Sequence, residues 1–152
     1  MNVHTGDTIP EWEMPSVSPE RMRTMAAILR DPNPVHWDPT VCAQLGFGNH
    51  VINQGPLGLS YIINMLHAWS GIDSLRRITM TFPQVVLDED RVVARGRVTA
   101  VRQAGTETLA ECEVWLQLEA SKDDEGWRNR SRGGRLLEGT AVVTLSRDDD
   151  SG

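Results

Sequence analysis

The chain has 152 residues, of which 39% are hydrophobic and 24% are charged, and its formal net charge is −6. This length and composition predict one soluble domain, spanning residues 1–152, with a core large enough to be stable without disulfides. The negative charge argues against a nucleic-acid binder built on a broad basic surface. No stretch approaches 18 apolar residues, so no membrane-spanning helix is predicted.

The two cysteines, Cys42 and Cys112, are too few for a disulfide framework. Both lie in segments predicted to be regular structure, so we expect them to be small buried hydrophobes in a reducing compartment. Residues 1–7 show no basic region followed by an apolar stretch, which is the pattern of a secretory signal peptide. The sequence therefore favours a cytoplasmic protein.

Three helices are predicted in the first half of the chain. The first starts at Ser18 and ends before Pro32, because proline cannot donate a helical hydrogen bond. The second is short; it opens at Asp38 and ends at about Leu45. The third begins at residues 55–56 and is apolar on nearly every side, which predicts a helix enclosed by other structure.

From residue 75 onward the pattern changes to alternation. Apolar residues occupy every second position in the segments 75–82, 91–100, 107–118 and 137–145. Such one-sided strands are typical of an antiparallel sheet with one packed face. Several inward positions are small, among them Gly96 and Ala100, which leaves room for the buried helix. The sequence thus predicts an α+β fold, and outward arginines are expected to pair with glutamates on the next strand.

Two segments are predicted to lie outside this core. Residues 121–135 are polar and rich in arginine, so we expect a long hairpin loop exposed to water. The alternative is a loop that meets a phosphate-bearing ligand or a partner subunit. Residues 146–152 form an acidic tail that we expect to be disordered.

The densest polar cluster is the segment 31–38, in which prolines stiffen the backbone between Asp31 and His36. A carboxylate and a neutral imidazole held on one short loop suit acid–base chemistry on a shared water near neutral pH. Gly55 lies nineteen residues beyond His36, at the start of the buried helix. Unpaired amides at a helix start can stabilise an oxyanion, so these three residues form a candidate site.

Two other interpretations of this cluster stay open at the level of residues alone. Asp, Asn and Pro are favoured in turns, so the segment could be ordinary turn structure in which His36 is structural. Alternatively, His36 and Asp38 could join His50 or His67 in a metal site with two histidines and one carboxylate. We expect no metal, because Asp38 is predicted to cap a helix and His67 lies in the buried helix.

The spacing Asp-x-Asn-Pro-x-His over residues 31–36, followed by Gly55 at the head of an apolar helix, resembles the (R)-specific enoyl-CoA hydratases and MaoC-like dehydratases. That family has the hot-dog fold, an antiparallel sheet wrapped around one long helix, and the resemblance covers most of the chain. It implies that Asp31 and His36 are the catalytic pair and that the Gly55 amide belongs to an oxyanion hole. It also implies that Asn33 and Pro34 shape the loop, and that no metal or cofactor is needed.

Enzymes of this family add water to a trans-2-enoyl thioester or remove it from a (3R)-hydroxyacyl thioester. The resemblance therefore implies a hydro-lyase acting on an acyl-CoA or acyl-carrier thioester. The alternatives are a hot-dog thioesterase and a subunit of a heteromeric dehydratase. A homodimer, or a heterodimer with a second hot-dog subunit, is expected because a single unit leaves a sheet edge uncovered.

Three residues depart from the family pattern. Arg30 stands where the family usually has glycine, and Gln54 replaces the histidine that usually precedes the oxyanion glycine. Pro56 removes the next amide at the helix start. Since none of these changes touches Asp31 or His36, we expect them to affect substrate choice and rate rather than the class of reaction.

Overall fold

The computed structural model describes residues 2–121, 130 and 132–145. Its elements in chain order are β1 (Thr8–Met14), α1 (Pro19–Leu29), a 3-10 turn (Pro34–His36), α2 (Pro39–Gln44), α3 (Gly55–Ser70), β2 (Leu75–Thr81), β3 (Arg91–Ala104), β4 (Glu107–Ala120) and β5 (Arg135–Leu145). All three predicted helices and all four predicted strands are present. Strand β1 was not predicted, because a register shift between Ile9 and Trp12 interrupts its alternation.

The five strands form one antiparallel sheet in the order β1-β3-β4-β5-β2. Helix α3 lies against its inner face, and Tyr61, Ile62 and Leu66 are at most 2% exposed. Trp12 of β1 stacks on Tyr61 with 5.7 Å between ring centroids. The predicted α+β fold, a sheet around one long buried helix, is therefore confirmed.

Small residues let the helix approach the sheet, as predicted for Gly96. A Cβ there would lie 2.8 Å from Ile9 Cδ1 and 3.2 Å from Met65 Cε of α3. The prediction for Ala100 was wrong. A bulge after Val98 shifts the alternation, so Ala100 pairs with an outward glutamate while the next residue, a valine, packs on the core.

The outer face carries the predicted ladder of arginines and glutamates. Arg97 pairs with Glu113 and Arg102 with Glu111, each at 2.9 Å between nitrogen and oxygen. Both cysteines are buried and free, and burial raises the pKa of Cys112 to about 11. In the described part of the chain, no helix is long and apolar enough to cross a membrane.

The predicted polar loop is only partly described. Residues 122–129 and 131 lie outside the described residues, as does the acidic tail at 146–152. Arg130 contradicts the expectation of an exposed loop, because its side chain is 2% exposed and forms an ion pair with the fully buried Asp90. Arg135 belongs to β5 and lies over the Trp115 ring, 4.2 Å from its centroid.

Helix α1 ends in a conformation that favours glycine. Arg30 has φ 53° and ψ 41°, the left-handed region, where its amide donates to the last carbonyls of the helix. A Cβ in this region costs about 1 kcal/mol, and glycine avoids that cost. A glycine, which the family that the sequence resembles usually has at this position, would avoid the cost that Arg30 bears.

We expect Arg30→Gly to raise the free energy of unfolding by up to about 1 kcal/mol, because the left-handed backbone no longer carries a side chain. Urea unfolding measures the difference. Ala27→Gly is the matched control; Ala27 is exposed in the same helix, and its replacement should lower stability by about 1 kcal/mol. If Arg30→Gly were also destabilising, the strain argument would be wrong.

Candidate active site

The loop after α1 is built by successive side-chain turns. The Asp31 amide donates to Ala26 O at 2.9 Å, and Asp31 Oδ1 accepts from the Asn33 amide at 3.0 Å. Asn33 Oδ1 in turn accepts from the Val35 amide at 3.3 Å and caps the 3-10 turn that opens at Pro34. Asn33 and Pro34 thus lie where they set the path of the backbone between Asp31 and the imidazole that follows.

The structure brings Asp31 and His36 together. His36 Nε2 lies 3.3 Å from Asp31 Oδ2, and the two side chains are 12% and 31% exposed. His36 Nδ1 lies 2.6 Å from Ile52 O. Since a carbonyl oxygen only accepts, Nδ1 carries a hydrogen and donates it, which leaves Nε2 of the neutral ring as an acceptor. Two acceptors at 3.3 Å are placed to share one donor, such as a water hydrogen.

Gly55 is the first residue of α3. The first hydrogen bond of this helix runs from the Gly58 amide to Gln54 O at 3.0 Å, so the amides before it have no partner within the helix. Pro56 has no amide hydrogen to offer, as expected from the sequence. The Gly55 amide is therefore, with that of Leu57, one of the amides of the first turn that the helix leaves without a partner. A Cβ on Gly55 would meet the Phe82 ring at 3.3 Å.

A cavity of about 460 Å³ opens at this helix start. Residues 52–55, 58, 82–86 and 137 line it. Among the described residues, neither Asp31 nor His36 lines this cavity. Ile52 links the two places, because it lines the cavity and its carbonyl holds the His36 ring.

Gln54, which stands where the family that the sequence resembles usually has a histidine, faces inward. It is 1% exposed, and its Nε2 donates to Met22 O of α1 at 2.7 Å. This bond joins the start of α3 to α1, the helix that leads into the Asp31 loop. Gln54 therefore adds a buried link between the two parts of the candidate site.

The residues of the alternative metal site do not converge. Asp38 Oδ1 accepts from the Thr40 amide at 2.9 Å and caps α2, as predicted. His50 contacts Asp88, while His67 lies near the far end of α3. In the parts of the chain that are described, no three His, Cys, Asp or Glu side chains are grouped to hold a metal ion.

Sequence reasoning missed three parts of this region. These are the Ile52 carbonyl, the cavity wall at 82–86, and the contact between His50 and Asp88. A backbone carbonyl leaves no signal in a sequence. The acidic run at residues 88–90 was a visible signal, but no role was assigned to it from the sequence.

An antiparallel sheet wrapped around one long helix, with a proline-stiffened carboxylate–imidazole loop beside the helix start, defines a protein of the hot-dog fold. The family model described as the MaoC-like domain matches residues 4–116, most of the chain. The chain belongs to the MaoC-like domain family. No curated protein matches it.

Solved structures support the same fold. The (R)-hydratase from A. caviae involved in PHA biosynthesis is 24% identical, with a TM-score of 0.76 over 95% of this chain and 98% of that one. A chain of the ChsH1–ChsH2 complex from Mycobacterium tuberculosis is 18% identical, with a TM-score of 0.73 over 96% of this chain and 100% of that one. A chain of the HadBC (3R-hydroxyacyl-ACP dehydratase) complex from the same organism is 15% identical, with a TM-score of 0.64 over 94% of this chain and 98% of that one. At these identities the likeness shows the hot-dog fold alone.

Proposed function

We propose that this protein is a hydro-lyase that adds water to trans-2-enoyl thioesters or removes it from (3R)-hydroxyacyl thioesters. The observation that carries the proposal is the contact between His36 Nε2 and Asp31 Oδ2, with the other ring nitrogen held by Ile52 O. Membership of the MaoC-like domain family and the likeness to hydratase and dehydratase structures support this class of reaction.

In the hydration direction, a water held between Asp31 and His36 attacks C3 of the enoyl group. One proton of that water passes to the pair, the new C3–O bond forms, and the electrons of the C2=C3 double bond move toward the thioester carbonyl. The pair then returns one proton to C2, so that water has been added overall. Dehydration runs through the same steps in reverse, and both directions use the same groups.

The Gly55 amide is proposed to stabilise the thioester oxygen, which becomes enolate-like in the transition state. It belongs to a helix start, where the partial positive charge of the helix favours an anion. The cavity beside Gly55, partly apolar along Ile52 and residues 82–86, would receive the acyl group. One fixed donor of this kind contributes about 3 kcal/mol to transition-state stabilisation.

Comparing Gly55→Pro with Gly55→Ala separates the role of the Gly55 amide hydrogen from the effect of added side-chain atoms. Proline at this position removes the amide hydrogen and adds a ring whose Cβ meets Phe82 as that of alanine does. The extended ψ of 142° at Gln54 allows a proline to follow. We expect Gly55→Pro to lower kcat by about a hundredfold or more. Gly55→Ala keeps the amide and crowds only the exposed Phe82 ring, so its kcat should fall much less. Equal losses in two folded variants would argue against the oxyanion role.

The proposed activity is tested with a panel of enoyl thioesters of different chain length on CoA and on carrier protein. Hydration is followed as loss of the absorbance of the conjugated enoyl group. We expect turnover of thioesters and none of the matching free acids. Equal turnover of the free acids would contradict the proposal, as would thioester cleavage without hydration.

We also propose that the working form contains a second hot-dog subunit. Strands β1 and β2 are the two edges of the sheet, and neither outer edge is paired within the described residues. Such edges are commonly covered by another chain. Light scattering on the purified protein gives its mass, and the thioester panel is repeated with candidate partner subunits.

A further inference from the structure

A second carboxylate–imidazole contact lies outside the candidate site. His50 Nδ1 is 3.0 Å from Asp88 Oδ1, and the two side chains are 16% and 13% exposed. The proposed reaction makes no use of either residue. The hydrogen bonds of Asp88 to the backbone show which segments it holds together.

Asp88 holds both backbone groups of Val51. Asp88 Oδ1 accepts from the Val51 amide at 2.9 Å, and the Asp88 amide donates to Val51 O at 3.0 Å. The pairing continues with a bridge between Ile52 and Leu87 and a bond from the Asn53 amide to the chain at residue 86. Residues 51–53 and 86–88 therefore form a short antiparallel pair that Asp88 closes at one end.

The next residue, Ile52, connects this pair to the candidate catalytic loop. Its amide donates to Val35 O at 2.8 Å, and its carbonyl accepts from His36 Nδ1 at 2.6 Å. The two backbone groups of one residue thus contact both the loop at Val35 and the ring of His36. Asp88 binds both backbone groups of the residue directly before Ile52.

We propose that Asp88 is a positioning residue for His36 and acts through the backbone of Val51 and Ile52. By holding Val51 in place, it aims the Ile52 carbonyl at His36 Nδ1 and keeps the Nε2 lone pair directed toward Asp31. A charged acceptor suits this task, because its hydrogen bonds are about twice as strong as those between neutral groups. The effect on rate rests on the proposed function, whereas the effect on the ring does not.

His50 has a smaller part in this arrangement. It contacts the same Asp88 Oδ1 that binds the Val51 amide, but it makes no contact with the Ile52 peptide or with His36 in the described structure. Just before it in the chain, Gly46 and Gly48 adopt positive φ values of 84° and 65° and are exposed. Both backbone groups of Val51 itself are bound by Asp88, one by its carboxylate and one by its amide.

Three variants test this route. Asp88→Ala removes the acceptor, and we expect kcat to fall by about tenfold to a hundredfold with little change in KM, as for other groups that orient a functional histidine. Asp88→Asn keeps an oxygen for the Val51 amide and should restore kcat to within a few fold of the wild type. His50→Ala should also stay within a few fold. Asp73→Ala, an exposed position beyond the other end of α3, controls for general effects.

A readout independent of activity is the NMR signal of the His36 Nδ1 hydrogen. We expect a hydrogen-bonded signal in the wild type and in Asp88→Asn, and its loss in Asp88→Ala. A folded Asp88→Ala with unchanged signal and unchanged kcat would overturn the proposal. A loss in His50→Ala as deep as that in Asp88→Ala would overturn the backbone route. If the wild type turned over no thioester, the proposed function would fail, while the NMR comparison would still decide this inference.

Discussion

Asp31→Asn and His36→Ala are each expected to slow hydration of a crotonyl thioester by at least about a hundredfold, the scale of lost acid–base catalysis. Asp31→Asn keeps the size of the side chain and removes a negative charge 3.3 Å from His36 Nε2. His36→Ala removes one of the two acceptors proposed to hold the water. Since the two side chains act on one water, the double variant should lose little more than either single variant.

Matched controls lie close by. Asp38→Asn also removes a carboxylate from this loop, but Asn caps a helix as well as Asp does, so α2 should be unaffected. His67→Ala removes an imidazole from α3. Both controls should keep activity within a few fold, measured as loss of enoyl absorbance after folding is checked by circular dichroism. Near wild-type rates in folded Asp31 and His36 variants would remove the catalytic assignment.

Asp90→Ala and Arg130→Ala are each expected to lower the free energy of unfolding by about 3–5 kcal/mol. Each change leaves the other charge in a site where the Asp90 side chain is 0% and the Arg130 side chain 2% exposed. Asp90 Oδ2 also accepts from the Leu87 amide at 2.8 Å, so its loss frees a buried donor as well. Urea unfolding of the two single variants and the double variant measures the effect.

The double variant should lose far less than the sum of the two single losses, because no unpaired charge remains. Arg102→Ala breaks an ion pair whose side chains are 51% and 45% exposed, and it should cost less than about 1 kcal/mol. Additive losses from Asp90→Ala and Arg130→Ala would show that the two residues do not act as a pair.

The same ion pair predicts a pH dependence. Burial raises the pKa of Asp90, and Arg130 opposes that rise without cancelling it. A carboxyl group with a raised folded pKa binds its proton more tightly in the folded chain. Its stabilising contribution is therefore full below the unfolded pKa of about 3.9 and is lost as pH rises through the folded value. As pH falls from the folded pKa of Asp90 towards the unfolded pKa, the unfolding free energy of the wild type should rise relative to that of the double variant.

Local patterns predicted most of the elements because each depends on neighbours in the chain. Ser18 and Asp38 both cap helices as predicted, since a cap needs only an amide two or three residues away. The alternation in β3 and β4 predicted one packed face for the same local reason. It failed at Ala100, where a bulge appears only when the two strands are paired.

The candidate site likewise has local features that the sequence predicted and long-range contacts that it did not. The spacing of Asp31 and His36 on a proline-stiffened loop was visible in the sequence, and the structure places the two side chains in contact. The partner of the other ring nitrogen, Ile52 O, is sixteen residues further along the chain and carries no side-chain signature. Likewise, Asp88 and the Val51 amide that it binds are separated by 37 residues.

Arg130 shows most clearly what the sequence could not decide. Its polar neighbours favour an exposed loop, yet it is buried against an acidic residue 40 positions earlier. The sequence by itself determined the helices, four of the strands, the fold class and the loop that carries a carboxylate and an imidazole, because hydrophobic period, caps and proline act over a few residues. Only the tertiary structure decided which charge is buried, which carbonyl contacts the His36 ring and which carboxylate binds the Val51 amide. Those contacts join segments that are distant in the chain, and they form only when the sheet closes around its helix.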